Sequence, residues 1–334
     1  MKKIKIKESL YILRESKDIY DVIFTGTRKI KKFAVDSLVK KIIYSLSKPL
    51  SEEILYSSLS NFEKPKIDSC LDSLENFGII RRYDEGNINK RYEKQILFID
   101  ELTKSWNETL KLQKKIEDSK IAVFGVGGIG TWIINGLHQM GVGEIRAIDP
   151  DKITEDNLNR QLFFNSNDIG KYKVDIIKQK LPDANIKIFK KRISTEESLE
   201  EILEGTTFLV NCADDPSVSE TTKIIDFYAS KKGISYCVAG GYNLHLGMIG
   251  PIIVPGETKT FEEFLKKQKE GNSLKNMKII KKIENPGNLG AIAGAVANIQ
   301  LMEIFKHIIG KGKHNYNRFS EINFMDFEID WREF

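Results

Sequence analysis

The chain has 334 residues, 41% of them hydrophobic and 30% charged, which is long enough for two domains that each bury a core. Its formal net charge of +5 is small for that length and argues for neither a nucleic-acid-tracking nor a membrane-bound protein. No apolar run of about eighteen residues is apparent. The segment Met1–Lys7 lacks the apolar centre of a signal peptide, and Cys70, Cys212 and Cys237 are too scattered for a disulfide framework. A cytoplasmic protein in a reducing compartment is expected.

Residues 1–90 read as a small α+β unit. Short, partly alternating β-rich runs cover Lys3–Leu13, Ile19–Thr25 and Arg28–Phe33, with Thr25-Gly26-Thr27 as a hairpin turn. Helical spacing follows over Val35–Ser47, where Leu38, Ile42, Ile43 and Leu46 share a face. Ser51 is a candidate N-cap for a helix over Ser51–Ser60. A third helix, Lys66–Asn76, turns Cys70, Leu71 and Leu74 inward and stops at Gly78. Ile79–Tyr83 and a turn at Asp84–Gly86 complete a winged-helix-like pattern. DNA binding is disfavoured, because the basic excess is small and the third helix carries Asp68, Asp72 and Glu75. Capture of a peptide as an added strand is the leading expectation, with dimerisation or packing as the alternative.

Residues 91–118 read as a connecting helical region. Ile121–Phe124 is then an apolar strand that enters a glycine turn, Gly125, Gly127, Gly128 and Gly130, before a helix from Thr131 to about Met140. A second strand, Glu144–Ile148, ends in Asp149. Glycines permit close approach of backbone to phosphate or ribose, a helix start favours an anion, and the acid can hold a ribose hydroxyl. Asp151, Asn157, Arg160, Gln161 and Lys173 follow. Hydride transfer has no use for such a cluster, whereas holding a triphosphate does. Arg160 can grip phosphate oxygens with two donors, Lys173 supplies a point charge, and Asn157 and Gln161 add neutral hydrogen bonds.

A third strand, Phe208–Cys212, ends at Asp214 and Asp215, at the carboxyl edge where open α/β sheets bind ligands; a helix begins near Ser217. Ser235–Tyr242 reads as a buried strand with a tight exit, and Cys237 within it as a core residue rather than a nucleophile. Gly250–Gly256 closes the sheet. Residues 257–288 are lysine-rich without sustained periodicity. Gly290–Lys306 reads as a buried helix, and Ile322–Ile329 as closing strands.

The ordered motifs Gly125-x-Gly-Gly-x-Gly130, Asp149-x-Asp151-x-Ile153 through Asn157-Leu-x-Arg160-Gln161, and Gly170-x-x-Lys173 resemble the ThiF/MoeB superfamily of ubiquitin-activating-enzyme-like adenylating enzymes, over roughly residues 91–334. The resemblance implies a Rossmann-like, mostly parallel sheet with flanking helices over residues 119–334, ATP and Mg2+ as cofactors, Asp214 as the Mg2+ ligand, and a homodimer. Asp156 stands where the family has Ser or Thr and is expected to matter little. Arg91-Tyr-Glu-Lys94-Gln95 resembles an R-Y-x-R-Q run whose second arginine reaches the neighbouring subunit's triphosphate; here that position is Lys94. Related enzymes carry zinc-binding cysteine pairs near positions filled here by Thr258–Phe264 and Trp331–Phe334, so no zinc site is expected.

The layout is most similar to microcin C-type peptide-adenylating enzymes. It implies activation of a terminal or side-chain carboxylate on a ribosomally made precursor peptide, bound partly by residues 1–90. Activation of a ubiquitin-like sulfur carrier and a non-catalytic nucleotide-binding scaffold are the alternatives.

Overall fold

The computed structural model describes residues 2–84, 86, 88–193, 197–270, 281 and 287–334. It divides into two compact units, Met1–Lys114 and Lys115–Phe334.

In the first unit the initial β-rich run is broken. β1 (Lys2–Ile6) and β2 (Leu10–Arg14) belong to different sheets, because Lys7 between them is buried and its ammonium is held far from its own strand. β2, β3 (Ile19–Phe24) and β4 (Lys29–Ala34) form an antiparallel meander in that order. Asp36 caps α1 (Ser37–Ser45) by accepting from the Val39 amide, so Val35 is buried ahead of the helix instead of starting it. β5 (Leu50–Ser51) ends in the expected cap, with the Ser51 hydroxyl accepting from Ile54 N at the start of α2 (Glu52–Ser58). α3 (Lys64–Asn76) places Ile67, Leu71 and Leu74 in the core and leaves Cys70 half-buried.

β6 (Ile80–Asp84) does not fold into a wing hairpin. It pairs antiparallel along the whole of β1, giving a sheet ordered β5-β1-β6. The three helices with β5 and β6 keep the winged-helix-like arrangement, but its remaining strand comes from the N-terminus. The turn expected at residues 84–86 lies partly outside the described residues.

Residues 91–100 are not a free connector. α4 (Glu93–Asp100) ends in a carboxylate buried within this unit, where Arg81 Nε approaches Asp100 Oδ1 at 2.8 Å and Lys7 Nζ approaches Oδ2 at 3.4 Å. Thr109, on α5 (Trp106–Asp118), donates to the same carboxylate at 3.0 Å. Buried charges persist only when paired and hydrogen-bonded.

The second unit is built on a six-stranded sheet. β7 (Lys120–Phe124), β8 (Glu144–Ile148), β9 (Ile186–Phe189), β10 (Phe208–Asn211) and β11 (Ser235–Val238) run parallel, with β14 (Ile252–Ile253) antiparallel at one edge. The order is β14-β11-β10-β7-β8-β9. The strands reverse direction of succession between β7 and β10, which opens a crevice at their carboxyl ends. α6 (Gly128–Met140), α7 (Lys173–Lys180), α8 (Glu197–Leu203) and α9 (Val218–Lys232) are the crossovers. A second sheet, β12 (Tyr242–Asn243), β13 (Leu246–Ile249), β15 (Arg318–Asn323) and β16 (Glu328–Glu333), is antiparallel throughout.

α10 (Phe261–Glu270) occupies part of the stretch read as aperiodic, because Phe261 and Phe264 bury against Phe319 and Phe334. The rest of that stretch falls mostly outside the described residues. α11 (Gly290–Ile309) is long and apolar enough to cross a membrane by length and composition, against the expectation that no such run exists. Of its most apolar window, 61% is buried. Leu301 fills the space beside Gly136 of α6, and Trp132 lies against Gly294, so it is a core helix.

Asp100→Ala should destabilise the first unit by about 3 kcal/mol, since it removes the buried carboxylate shared by Arg81 and Lys7 and leaves Arg81 with Glu75 at 3.8 Å and Lys7 with Glu101 at 3.4 Å. Urea denaturation of the full chain, followed by a first-unit probe such as Trp106 fluorescence, measures the loss.

Candidate active site

The site forms where β7, β8 and β10 end. Gly125 has φ +81°, and a Cβ there would lie 2.6 Å from Ala213 N. Only glycine lets the β7 exit run against the β10 exit. A Cβ at Gly130 would lie 2.0 Å from Gly125 O, so the first turn of α6 presses onto the same loop. Gly127 is the N-cap of α6 and offers no side-chain cap to the amides that follow.

Asp149, at the end of β8, is 4% exposed. Its Oδ2 accepts from Val126 N at 2.6 Å and its Oδ1 from Asp151 N at 2.8 Å. Burial raises its pKa above the usual carboxylate range, opposed by Lys173 and the two amides. Lys173 Nζ lies 2.9 Å from Asp151 Oδ2 and 4.0 Å from Asp149 Oδ1. The separation of the two motifs in sequence closes through short backbone pairing: Lys173 N donates to Asp151 O, Ile153 N to Lys171 O, and Gly170 N to Ile153 O. Gly170, at φ +83°, makes the turn. The structure therefore gathers Gly125, Gly127, Gly128, Gly130, Asp149, Asp151 and Lys173 around one crevice.

The remaining motif residues arrive on a 3-10 turn, Glu155–Asn157. Asn157 is buried, and its Oδ1 accepts from Thr154 N at 3.3 Å, closing a capping box. Its carbonyl is thus used to shape the turn. Gln161 is also buried; its Nε2 approaches Gly127, and its Oε1 has no protein partner. An orphaned buried acceptor beside the glycine loop fits a ligand that brings a donor, such as a nucleoside hydroxyl or amine.

Arg160 donates to the Asp156 carbonyl, to Asn159 Oδ1 at 3.1 Å and to Asp156 Oδ2 at 3.3 Å. The Asp156 departure is therefore not inert: this acid takes hydrogen bonds from Thr154 and Arg160, which hold its pKa down. Asp214 follows β10, next to the Gly125 contact at Ala213, and its charge is felt at Cys212 and Tyr242. Asp215 instead pairs with Arg192 at 2.5 Å. Among the described residues no three His, Cys, Asp or Glu side chains gather to hold a metal. A cation at Asp214 would take its other oxygens from a bound phosphate and water, which suits Mg2+. Lys94 is exposed on α4 in the first unit.

Two further site residues are defined by contacts that form only on folding. Thr131 is fully buried; its hydroxyl donates to Gly127 O at 2.9 Å and accepts from Leu162 N at 3.2 Å, tying the Gln161 turn to α6. Tyr242 places its hydroxyl 2.4 Å from the point where a Gly128 Cβ would stand. The Gly240-Gly241 step before it was the only hint.

Residues 92–334 match the ThiF family. The chain belongs to the ThiF family. Among its relatives, the tRNA threonylcarbamoyladenosine dehydratase of Haemophilus influenzae is 28% identical over 131 residues, 38% of this chain and 49% of that protein. The adenylyltransferase and sulfurtransferase UBA4 of Lodderomyces elongisporus is 33% identical over 114 residues, 33% of this chain and 25% of that protein. The chain thus spans a quarter to a half of the length of these relatives. The solved structure of E. coli MccB with ATP has a TM-score of 0.72 at 22% identity, covering 99% of this chain and 96% of that one. PaaA has a TM-score of 0.74 at 23% identity, covering 98% and 99%. At these identities the likeness establishes the fold.

For this ThiF-family chain, Gly125→Ala should cost about 1–3 kcal/mol by overpacking Ala213 and abolish nucleotide affinity. Gly170→Ala, which meets open space but keeps a positive φ, should cost about 1–2 kcal/mol and leave folded protein with measurable affinity. Thermal unfolding and calorimetry with ATP compare the two.

Proposed function

We propose that the protein is an ATP-dependent adenylating enzyme that activates a carboxylate of a ribosomally made precursor peptide. The observation that carries this reading is the Asp149–Lys173–Asp151 cluster beside an uncapped, glycine-lined helix start, with the buried Gln161 amide next to the same loop and its oxygen unpartnered. A carboxylate oxygen attacks the α-phosphorus of ATP, the bond to the β-phosphate breaks, and pyrophosphate leaves with the electron pair. Both reactants are anions, so the protein's task is to neutralise and align charge. Asp149 would orient the ribose, Lys173 and Arg160 would take the departing phosphates, and Asp214 would hold Mg2+, which supplies further neutralisation.

Cys237 is fully buried and its thiol is pushed well above its ordinary pKa by burial, and Cys212 is shifted the same way. Neither suits a thiolate relay, which favours direct acyl transfer to a nitrogen or cyclisation over passage through either cysteine.

The first unit is assigned to peptide capture. Among the described residues β4 has one strand partner, β3, leaving its other edge for an added strand. Beside β1 and β2, a cavity of about 390 Å³ has a mixed lining, with aliphatic Ile12, Ile43 and Leu46 alongside charged Lys5, Glu8 and Arg14. We assign the active form as a homodimer in which Lys94 of one copy serves the other copy's triphosphate.

With ATP, Mg2+ and a candidate precursor peptide, sought among the reading frames that neighbour its gene, the protein should release AMP and pyrophosphate, read by mass spectrometry; ADP and phosphate would mean acyl-phosphate chemistry instead. Lys173→Ala should lower turnover by roughly 10²-fold or more, the scale of a lost transition-state donor.

A further inference from the structure

Tyr242 stands at the start of α6 and has no role in the chemistry above. Its backbone is fixed by the second sheet: Tyr242 pairs with Gly247 across the β12–β13 hairpin, and Met248 N donates to Gly241 O at 2.8 Å. A Cβ at Gly240 would lie 1.4 Å from Met248 O, so the strand exit that delivers the tyrosine requires that glycine. The ring is thereby laid over the glycine loop, with its hydroxyl 2.4 Å and its Cζ 3.3 Å from a Cβ built on Gly128.

The Arg160 guanidinium and the Asp214 carboxylate both act electrostatically on the Tyr242 hydroxyl, while the hydrogen bonds of Arg160 run to Asp156 and Asn159. Arginine carries donors only, so a turn of Arg160 toward the phenol would use the phenol oxygen as acceptor and leave its proton for another acceptor. Tyr242 thus stands at the start of α6 and within the influence of the Arg160 guanidinium, the two elements that a phosphate at this site needs. Asp149, the acid assigned to the ribose, is bonded to Val126 N, two residues before Gly128. The phenol over Gly128 therefore stands one loop step from the sugar-binding acid, and the first phosphate met beyond a ribose is the α-phosphate.

We propose that Tyr242 is a further nucleotide-contacting residue, donating its phenolic hydrogen bond to a non-bridging oxygen of the α-phosphate while Arg160 donates to the phenol. This assignment rests on the nucleotide-binding part of the function proposed above. It implies that Arg160 acts partly through Tyr242, and that the Gly128 notch is kept open for the phenol and the phosphate together. It also identifies Gly240 as a positioning residue, since a side chain there would move the hairpin.

Tyr242→Phe keeps the ring and removes the donor, so it tests the contact with little change in packing. Affinities of the full-length parent and variant for ATP, AMP and adenosine, each with Mg2+, are measured by calorimetry or ligand-observed NMR. Loss of a hydrogen bond to a charged group should weaken ATP and AMP by roughly 10-fold or more, with adenosine changed less than about twofold. Equal affinities for all three ligands would overturn the role of Tyr242 and leave nucleotide binding intact. An equal loss for adenosine would make the residue structural, and a loss confined to ATP would place the contact beyond the α-phosphate; each overturns the assignment. Tighter ATP binding would show the phenol to be an obstruction. A parent that binds none of the three removes the nucleotide reading and this role together. Gly128→Ala, alone and with Tyr242→Phe, supplies the second check. Its thermal destabilisation should be relieved in the double variant, because the methyl then meets Cζ at 3.3 Å instead of the hydroxyl at 2.4 Å; no relief would overturn the stated placement of the phenol.

Discussion

A carboxylate buried at the end of β8 governs the architecture of the second unit. Asp149 has lost nearly all its water, and an isolated charge in that position would be too costly to keep. Its compensation comes from three directions: the glycine loop through Val126, the following turn through Asp151, and the start of α7 through Lys173. Each partner must therefore stay where the carboxylate needs it. The same bonds fix the spacing between the β7 exit, the β8 exit and the Gly170–Lys173 turn, so the polar frame of the site is set by folding rather than by ligand. Such preorganised charge does not have to reorganise when a reaction moves electrons through it.

The parts of this frame that repeat a local rule were legible in the sequence. Gly125 and Gly130 were readable because a strand followed by a glycine-rich turn and a helix has few solutions, and Ser51 because an N-cap acts over three residues. Local cues placed α1, α2, α3 and α11 to within a few residues. The misreadings share one cause, which is contact between residues distant in sequence. Lys7 ends β1 because it reaches Asp100, 93 residues on, and no local pattern records that pairing. β6 looked like the first half of a wing until β1 claimed it as a partner. α10 hides its apolar face in two phenylalanines whose partners, Phe319 and Phe334, come from the far end of the chain. Thr131 and Tyr242 were missed for the same reason, since a hydroxyl becomes a site residue only through what folding brings beside it.

Under the proposed function the two units would divide the work along physical lines. Among the described residues the first has a singly paired strand edge and a cavity with both aliphatic and charged walls, features suited to an extended peptide, where main-chain bonds supply affinity and side-chain pockets supply choice. The second concentrates buried charge and glycine at strand ends, features suited to phosphate. Neither set would serve the other purpose well, because a strand edge gives little charge neutralisation and a buried ion cluster gives little sequence selectivity.

Arg160 shows how a residue already engaged can still favour reaction. In this structure its guanidinium is held by Asp156, an acid placed where the family has a hydroxyl. A triphosphate entering the site offers Arg160 one anion in exchange for another, so the net gain on binding is small. Interactions that serve ground state and transition state equally lower the KM without raising the kcat. As the bond to the α-phosphorus breaks, charge gathers on pyrophosphate while the Asp156 carboxylate remains a fixed single charge, and the balance tips toward the phosphates. The internal acid therefore subtracts more from ATP binding than from the step that follows. Within the proposed function, that is the sense in which Asp156 shifts the contribution of Arg160 from affinity to rate.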